Sequence, residues 1–288
     1  MLDYHLHLWP HGQRDKSPTI DELARYCEAA QKNGVQEIAI TEHLFRFRQV
    51  DAFLGGFFNQ YPDSPVRSIM EHYWSEHARA DLDTYVEVAL EAKSAGLPIV
   101  LGMEVDYYPG KMHQVSEFLA GYPFDVLLGS IHWLGAWPFD HISDPVIMAE
   151  WDTYGIENAW ESYTRSLEEL ADSGAVDVLA HPDLVKVAGH FPQVPQEFYD
   201  RMAEAARDSK LSAEVSSAGW RKPVEQVYPD PYLLRKFFEY GVPITTASDS
   251  HGIADVAYRA EEIKSYVSSI GYRSLSGFRD RKSYLVEL

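Results

Sequence analysis

The chain has 288 residues, of which 44 are acidic and 25 are lysine or arginine, giving a formal net charge of −19. This charge repels a phosphate backbone and argues against sequence-independent binding of nucleic acid. A hydrophobic content of 45% predicts a large folded core, and the single cysteine excludes an internal disulfide or a cysteine-based zinc cluster. No apolar run approaches the roughly 20 residues of a membrane-spanning helix, and no signal peptide is visible. We therefore expect a cytoplasmic protein that does not engage a membrane and folds as one domain over residues 1–288.

Amphipathic stretches alternate with short apolar runs along the chain. The first predicted helix begins at Thr19 with a capping box that Glu22 completes, and Asn33-Gly34 ends it. A brief helix is predicted at Val115–Leu119, and longer ones carry Trp160, Tyr163, Leu167 and Leu170, and then Val256, Ala260, Ile263, Val267 and Ile270. The predicted strands are Leu2–His7, Val35–Thr41, Pro98–Val105, Phe124–Ile131, Val176–Ala180, Ser212–Ser216 and Val242–Ser248.

Most of these strands are separated by enough chain for a crossover helix, which is typical of βα units and a parallel sheet. Seven such units favour a closed or nearly closed barrel over an open sheet. The segment Phe45–His77 is rich in aromatic residues and has no clean period. We expect it to form a long excursion over one end of the barrel.

Nearly every predicted strand ends in residues that can bind a metal. These residues are His5, His7, Glu42, His43, Glu104, Asp106, His132, His181, Asp249 and His251. The carboxyl ends of the strands are where parallel barrels gather their catalytic groups, and residues i and i+2 of a strand face the same side. One His-x-His pair is weak support for a site, but the joint pattern predicts a metal centre.

Imidazole and carboxylate ligands suit zinc, iron or manganese. The candidate ligands outnumber those that one tetrahedral ion uses, so we expect a cluster of two or three ions. A bridging carboxylate such as Glu104 would set two ions about 3.5–4 Å apart, which suits in-line phosphoryl displacement. His113, His141 and His190 fall in predicted loops and are expected to be surface residues.

Several motifs together resemble the polymerase-and-histidinol-phosphatase (PHP) superfamily. They are Asp3-Tyr4-His5-Leu6-His7, Thr41-Glu42-His43, Gly102-Met103-Glu104-Val105-Asp106, Gly129-Ser130-Ile131-His132, Ala180-His181-Pro182-Asp183 and Ser248-Asp249-Ser250-His251. The segments 104–110 and 214–223 resemble the histidinol-phosphate phosphatase branch in particular. The resemblance extends from Asp3 to His251 and so covers nearly the whole chain.

The resemblance implies a distorted seven-stranded β/α barrel of the TIM type that holds three divalent metals (Zn, Fe or Mn). It implies a first ion held by His5, His7, Glu104 and Asp249, and a second held by Glu104, His132 and His181. A third ion would be held by His43, His251 and His11. Glu42 stands where the family pattern has aspartate, which leaves its role open.

The resemblance further implies a phosphomonoesterase that hydrolyses L-histidinol phosphate to L-histidinol and phosphate, in histidine biosynthesis. A metal-bound hydroxide would attack phosphorus at a site whose catalytic residues are Glu104, Asp249 and His251. Arg221 and Lys222 are candidates for a phosphate clamp, and Asp106 for contact with the substrate ammonium group. Arg221 can equally be a surface residue, in which case Arg165 and Lys186 are the next candidates.

Three alternatives remain open at this point. The first is a related phosphoesterase acting on nucleotides or other phosphate esters, which the absence of a basic stripe or polymerase module in the chain disfavours. The second is an amidohydrolase-like C–N hydrolase, which expects a carbamylated lysine or a glutamate mid-chain and has no use for His43 and His251. The third is a metal-binding protein without catalysis. The oligomeric state and the metal identities are not predicted.

Overall fold

Seven parallel strands curve into a nearly closed barrel in the computed structural model, which describes residues 1–10 and 17–288. The strands β1 to β7 are Leu2–Leu6, Glu37–Ile40, Ile99–Asp106, Val126–Ser130, Val178–Leu179, Ser212–Ser216 and Ile244–Ala247. Each is hydrogen-bonded to the next in chain order. All seven predicted strands, and the parallel barrel inferred from them, are confirmed. Their apolar residues are buried because helices cover the outside of the barrel.

The barrel closes where the chain just beyond β7 meets β1. The Asp249 N–H donates to the His5 carbonyl at 2.8 Å, and the His7 N–H donates to the Ser250 carbonyl at 2.7 Å. The register of β1 against β2, on its other side, shifts between Asp3 and Leu6, so the barrel is irregular at β1. This pairing places Asp249 beside the two histidines of β1.

A buried carboxylate on β1 reinforces the same closure. Asp3 accepts hydrogen bonds from the Ser248 N–H at 2.7 Å, the Ser248 hydroxyl at 2.6 Å and the Ala257 N–H at 2.8 Å. Burial raises the pKa of Asp3 to about 6, although these hydrogen bonds favour its ionised form. Asp3 therefore fixes the backbone on both sides of the segment that carries Asp249 and His251.

The helices that the structure describes follow the predicted amphipathic stretches and add several. Helices α1 to α10 are Ile20–Lys32, Arg48–Leu54, Pro65–His77, Leu82–Ser94, Met112–Leu119, Pro145–Tyr154, Ile156–Asp172, Pro195–Asp208, Pro231–Glu239 and Ala260–Ile270. The predicted start of α1 is confirmed, because the Thr19 hydroxyl accepts from the Glu22 N–H at 3.2 Å. No described helix is both long and apolar enough to cross a bilayer.

The excursion between β2 and β3 is more regular than the sequence analysis expected. It contains α2, α3 and two short 3₁₀ turns, Leu44–Arg46 and Phe57–Gln60. Ser64 caps α3 by accepting from the Arg67 N–H at 3.2 Å. Aromatic rings from the excursion pack on Trp133, which follows β4, with centroids 5.8 Å away for Phe45 and 5.3 Å for Phe57. The excursion thus packs against residues at the carboxyl end of the barrel.

An antiparallel hairpin that the sequence analysis did not predict follows α10. Its strands are β8, Ser274–Arg279, and β9, Lys282–Glu287. The Arg281 N–H donates to the Asp125 carbonyl at 2.9 Å, and the Arg281 side chain pairs with Asp177. Because Asp125 and Asp177 immediately precede β4 and β5, the hairpin packs at the amino end of the barrel, opposite the predicted metal ligands.

Candidate metal centre and active-site cavity

Four side-chain atoms at the carboxyl end of the barrel have the spacing of one metal site. Glu104 Oε2 lies 3.3 Å from His5 Nε2 and 3.5 Å from His7 Nε2, and these nitrogens are 3.2 Å apart. Asp249 Oδ1 lies 3.8 Å and 3.5 Å from the same nitrogens. Four ligands placed tetrahedrally about 2.0–2.1 Å from zinc would be about 3.3–3.4 Å apart. These five distances are close to that value and support the set predicted for the first ion.

The other oxygen of Glu104 faces a second set of nitrogens. Glu104 Oε1 lies 3.1 Å from His181 Nε2 and 3.4 Å from His132 Nε2. His181 has a φ of 25°, an uncommon conformation for a residue with a side chain, at the end of β5. One buried carboxylate thus contributes a different oxygen to each set, as a bridging ligand would.

A third group of histidines lies beside the first set. His7, His43 and His251 each offer a ring nitrogen within 4.8 Å of the others. The rings of His43 and His251 both stack on His7, with centroids 4.2 Å from it. His11, which was predicted to complete this site, lies outside the described residues. A third ion would use His43 and His251 as ligands, whereas an amidohydrolase-like site does not require these two residues.

The electrostatics of the centre fit a bound cation. Burial opposes ionisation of Glu104 and Asp249, but the neighbouring imidazoles, His5 first, hold the pKa of both carboxyls well below the usual range. Burial also keeps the pKa of His43 well below its usual value, so its imidazole is neutral and able to ligate. Glu104 Oε2 is buried and lies 2.6 Å from His43 Nδ1. These nitrogen and oxygen donors suit zinc, iron or manganese.

Glu214 on β6 is a functional residue to which the sequence analysis gave no role. Its Oε2 accepts from His5 Nδ1 at 2.8 Å, and its Oε1 accepts from the His181 backbone N–H at 3.3 Å. Burial lowers the pKa of His5, but Glu214, followed by Glu104, outweighs this effect and raises it well above the usual value. Carboxylates in this position orient metal-binding histidines. The available signal in the sequence was a glutamate inside a predicted strand, between Ala213 and Val215.

Two further carboxylates lie behind predicted ligands. Asp106 Oδ1 accepts from His132 Nδ1 at 2.6 Å, and burial raises the pKa of Asp106 to about 6 against the opposing effect of His132. Asp106 does not line the cavity above the metal ligands, and this position favours orienting His132 over touching a substrate. Glu42 Oε1 accepts from the backbone N–H groups of Leu8 and Trp9 at 2.7 and 2.9 Å. Glu42 therefore fixes the chain that follows His7.

A cavity of about 410 Å³ opens above the ligands. His141 lines it, so the expectation that His141 is an ordinary surface residue is wrong. The predicted site residues on its wall are His43, His132, His181, Lys222, Asp249 and His251. The rest of the wall is formed by Phe45, Tyr73, Trp133, Asp140, Ile142, Ser143, Asp144, Leu184, Val187 and Tyr228. This volume accommodates a small organic phosphate.

Arg221 lies beside the cavity rather than on its wall. One terminal nitrogen donates to the carbonyls of Ser248 and Asp249 at 2.8 and 3.0 Å, and the guanidinium lies 4.9 Å from the Tyr258 ring centroid. The other terminal nitrogen is buried and has no hydrogen-bond partner among residues 1–10 and 17–288. Arg221 thus supports the backbone of a predicted metal ligand and keeps one donor for a further group.

The two reserve candidates for a phosphate clamp lie elsewhere. Arg165 is 63% exposed on α7 and pairs with Glu161 at 3.1 Å. Lys186 is fully buried, and its ammonium group binds Asp183 at 2.8 Å and the Val227 carbonyl at 2.9 Å. Neither side chain lines the cavity.

Comparisons with known proteins point to one family. A model of the PHP domain matches residues 3–218. A Deinococcus radiodurans protein named Probable histidinol-phosphatase is 31% identical over 286 residues, covering 98% of each chain. The chain belongs to the PHP domain family. The matched residues include all the predicted ligands except Asp249 and His251, which the full-length relative spans.

Two other relatives extend the comparison of this PHP domain protein. The histidinol-phosphatase of Bacillus subtilis (strain 168) is 26% identical over 286 residues, with 90% of this chain and 96% of that protein covered. The histidinol phosphate phosphatase of Lactococcus lactis subsp. lactis Il1403, solved with zinc, L-histidinol and phosphate, has a TM-score of 0.66 at 19% identity. That alignment covers 98% of both chains and supports the same fold.

Proposed function

We propose that this PHP domain protein is a metal-dependent phosphomonoesterase that hydrolyses L-histidinol phosphate to L-histidinol and phosphate. The position of Glu104, whose two oxygens face separate ligand sets at the base of an open cavity, carries the proposal. Two ions held in this way suit in-line displacement at phosphorus. The names of the two curated relatives, and the ligands in the Lactococcus lactis structure, support the choice of substrate.

The ligand sets support up to three divalent ions. His5, His7, Glu104 and Asp249 would hold the first, Glu104, His132 and His181 the second, and His43, His251 and His11 the third. Bound metals would supply Lewis acidity and make water a stronger acid near pH 7. Glu214 and Asp106 hold His5 and His132 in position, so that Nε2 of each ring faces Glu104.

The remaining steps fall to residues on and beside the cavity wall. The Lys222 ammonium group would attract the phosphate dianion, and the free Arg221 donor would bind one of its oxygens. Asp249 and His251 line the cavity and would hold their metal ions next to the space that the phosphate group would occupy. Phe45 and Trp133 form an apolar part of the wall and would exclude water from the reacting group.

The substrate is tested by kinetics on the metal-loaded protein. We expect kcat/KM for L-histidinol phosphate to exceed that for a sugar phosphate and for a nucleoside monophosphate by at least about 100-fold, because a fitted site discriminates through transition-state contacts. Equal values across the three esters would leave only a general phosphoesterase.

Elemental analysis tests the metal centre separately. More than one transition-metal ion per chain is expected in metal-replete protein, and Glu104→Gln should empty the first two sites together because one side chain serves both. Glu117→Gln on α5, whose side chain is 71% exposed, is the matched control and should keep wild-type metal content. One ion or fewer in the wild type would exclude the cluster.

A further inference from the structure

The cavity wall holds two carboxylates that the metal centre does not use, Asp140 and Asp144. Asp140 lies in the loop between β4 and α6, and its Oδ1 is buried without a hydrogen-bond partner among the described residues. It forms no ion pair with a lysine, arginine or histidine in that part of the chain. By contrast, Asp144 on the same loop caps α6 by accepting from the N–H groups of Val146 and Ile147 at 2.8 and 3.3 Å. Asp140 is therefore the uncommitted acid of this loop.

Asp140 lines the same cavity as residues of the metal centre. His132 and Asp249, together with Tyr73 and Tyr228, form other parts of its wall. A buried carboxylate without a partner is unfavourable, and a cation that enters the cavity relieves that cost. Asp140 thus places negative charge beside the position that the phosphate would occupy.

We propose that Asp140 binds the ammonium group of the substrate and selects phosphate esters of amino alcohols; this rests on the proposed function. In L-histidinol phosphate the ammonium group is on the carbon next to the phosphorylated CH₂, and the imidazole is one carbon further away. With the phosphate on the ligand sets, the ammonium group would lie at the metal-facing end of the cavity, whose wall includes both His132 and Asp140. The imidazole then faces the aromatic wall of Phe45, Tyr73 and Trp133.

The assignment differs from the expectation for Asp106. Asp106 already accepts from His132 and lies behind it, away from the cavity wall. Asp140 has an unused oxygen and lines the wall. An ammonium group that enters from the open side of the cavity therefore meets Asp140 and not Asp106.

The test combines Asp140→Asn with removal of the ammonium group from the substrate. The analogue 3-(imidazol-4-yl)propyl phosphate keeps the phosphate and the imidazole and lacks the amine. For L-histidinol phosphate we expect kcat/KM to fall roughly 10- to 100-fold in the variant, the loss that follows removal of a charge-assisted hydrogen bond. For the analogue, wild type and Asp140→Asn should agree within about threefold. Asp152→Asn, an exposed site on α6, is the matched control.

Each outcome either supports or overturns the contact between Asp140 and the ammonium group. Equal losses on both esters would assign Asp140 to the metal centre or to folding, and no loss on either would exclude contact with the ammonium; both overturn the proposal. Asp140→Glu keeps the charge and should retain a preference for the amine-bearing ester. The wild-type rates test the proposed function independently. If the wild type does not prefer L-histidinol phosphate over sugar phosphates, the proposed function is wrong, and the role proposed for Asp140 is then wrong as well.

Discussion

Glu214→Gln tests how far the metal centre depends on a carboxylate that would not itself touch a metal. Glu214 is fully buried and accepts from His5 Nδ1 through Oε2 and from the His181 N–H through Oε1. Glutamine has nearly the same volume, so the change opens no cavity. Its amide oxygen can still accept from His5, but its NH₂ group cannot accept from the His181 N–H. The variant therefore removes one negative charge and one acceptor.

The expected loss follows from these two contacts. Removing the carboxylate behind a metal-binding histidine typically lowers metal affinity or activity roughly 10- to 100-fold, or about 1.4–2.7 kcal/mol. Burial lowers the pKa of His5, and Glu214 makes the largest contribution that raises it. The negative charge of Glu214 therefore also makes His5 Nε2 a better electron-pair donor to a metal. Because His181 belongs to the second set, we expect the affinities of both sites to fall, with the larger loss at the site of His5.

Zinc titration in competition with a chromogenic chelator measures this loss. Glu117→Gln serves again as the exposed control, and thermal unfolding of the metal-free proteins checks that the variant folds. At saturating zinc the variant should recover much of its kcat, since the ligands themselves are intact. A zinc affinity within about twofold of the wild type would show that orientation by Glu214 contributes nothing.

Two further changes probe the phosphate contact and the barrel closure. Arg221→Ala should lower kcat/KM roughly 10- to 100-fold at unchanged metal content, whereas His132→Ala should lose metal and activity together. If Arg221→Ala also loses metal, the main role of Arg221 is to hold the Asp249 backbone through its hydrogen bond to the carbonyl, and not to bind phosphate. Asp3 binds its proton more tightly in the folded protein, where its pKa is about 6, than in the unfolded chain. The unfolding free energy of the metal-free protein should therefore fall by up to about 3 kcal/mol as pH rises from about 4 to about 6, measured by denaturant titration, and Asp3→Asn should lack this component.

The barrel could be predicted from the sequence because its strands follow a local rule. Each strand is covered on both faces and therefore has a continuous apolar run bounded by turns. The hairpin β8–β9 does not follow this rule. Every residue from Lys282 to Tyr284 is exposed, and Gly277 separates the apolar residues of β8. Its position depends on contacts with Asp125 and Asp177, which are more than 100 residues away in the chain. Sequence patterns of short range carry no information about such pairing.

Helix α3 was missed although its own sequence carries a helical pattern. Its buried residues Val66, Met70 and Trp74 form one narrow stripe with a spacing of four. Ile69 and Tyr73 form a second, half-buried stripe that packs on the core beside it. The two stripes are adjacent and together have the i, i+3, i+4, i+7 and i+8 spacing of a single helical face. The turns that precede the helix have no such period, so it is hidden when Phe45–His77 is considered as one segment.

The metal centre shows where the alternation of a strand stops being informative. Alternation correctly indicates that Glu104 and Asp106 share one face of β3, and it predicts equal access to the site. Two residues along a strand are about 6–7 Å, however, and that difference in height decides what each carboxylate meets. The carboxylate of Glu104 contacts the ring nitrogens of five histidines. Asp106 contacts Nδ1 of His132, the ring nitrogen that faces away from Glu104. Whether an acid ligates, orients a ligand or faces substrate therefore depends on its height along the barrel axis relative to its neighbours, which only the register of the closed barrel determines.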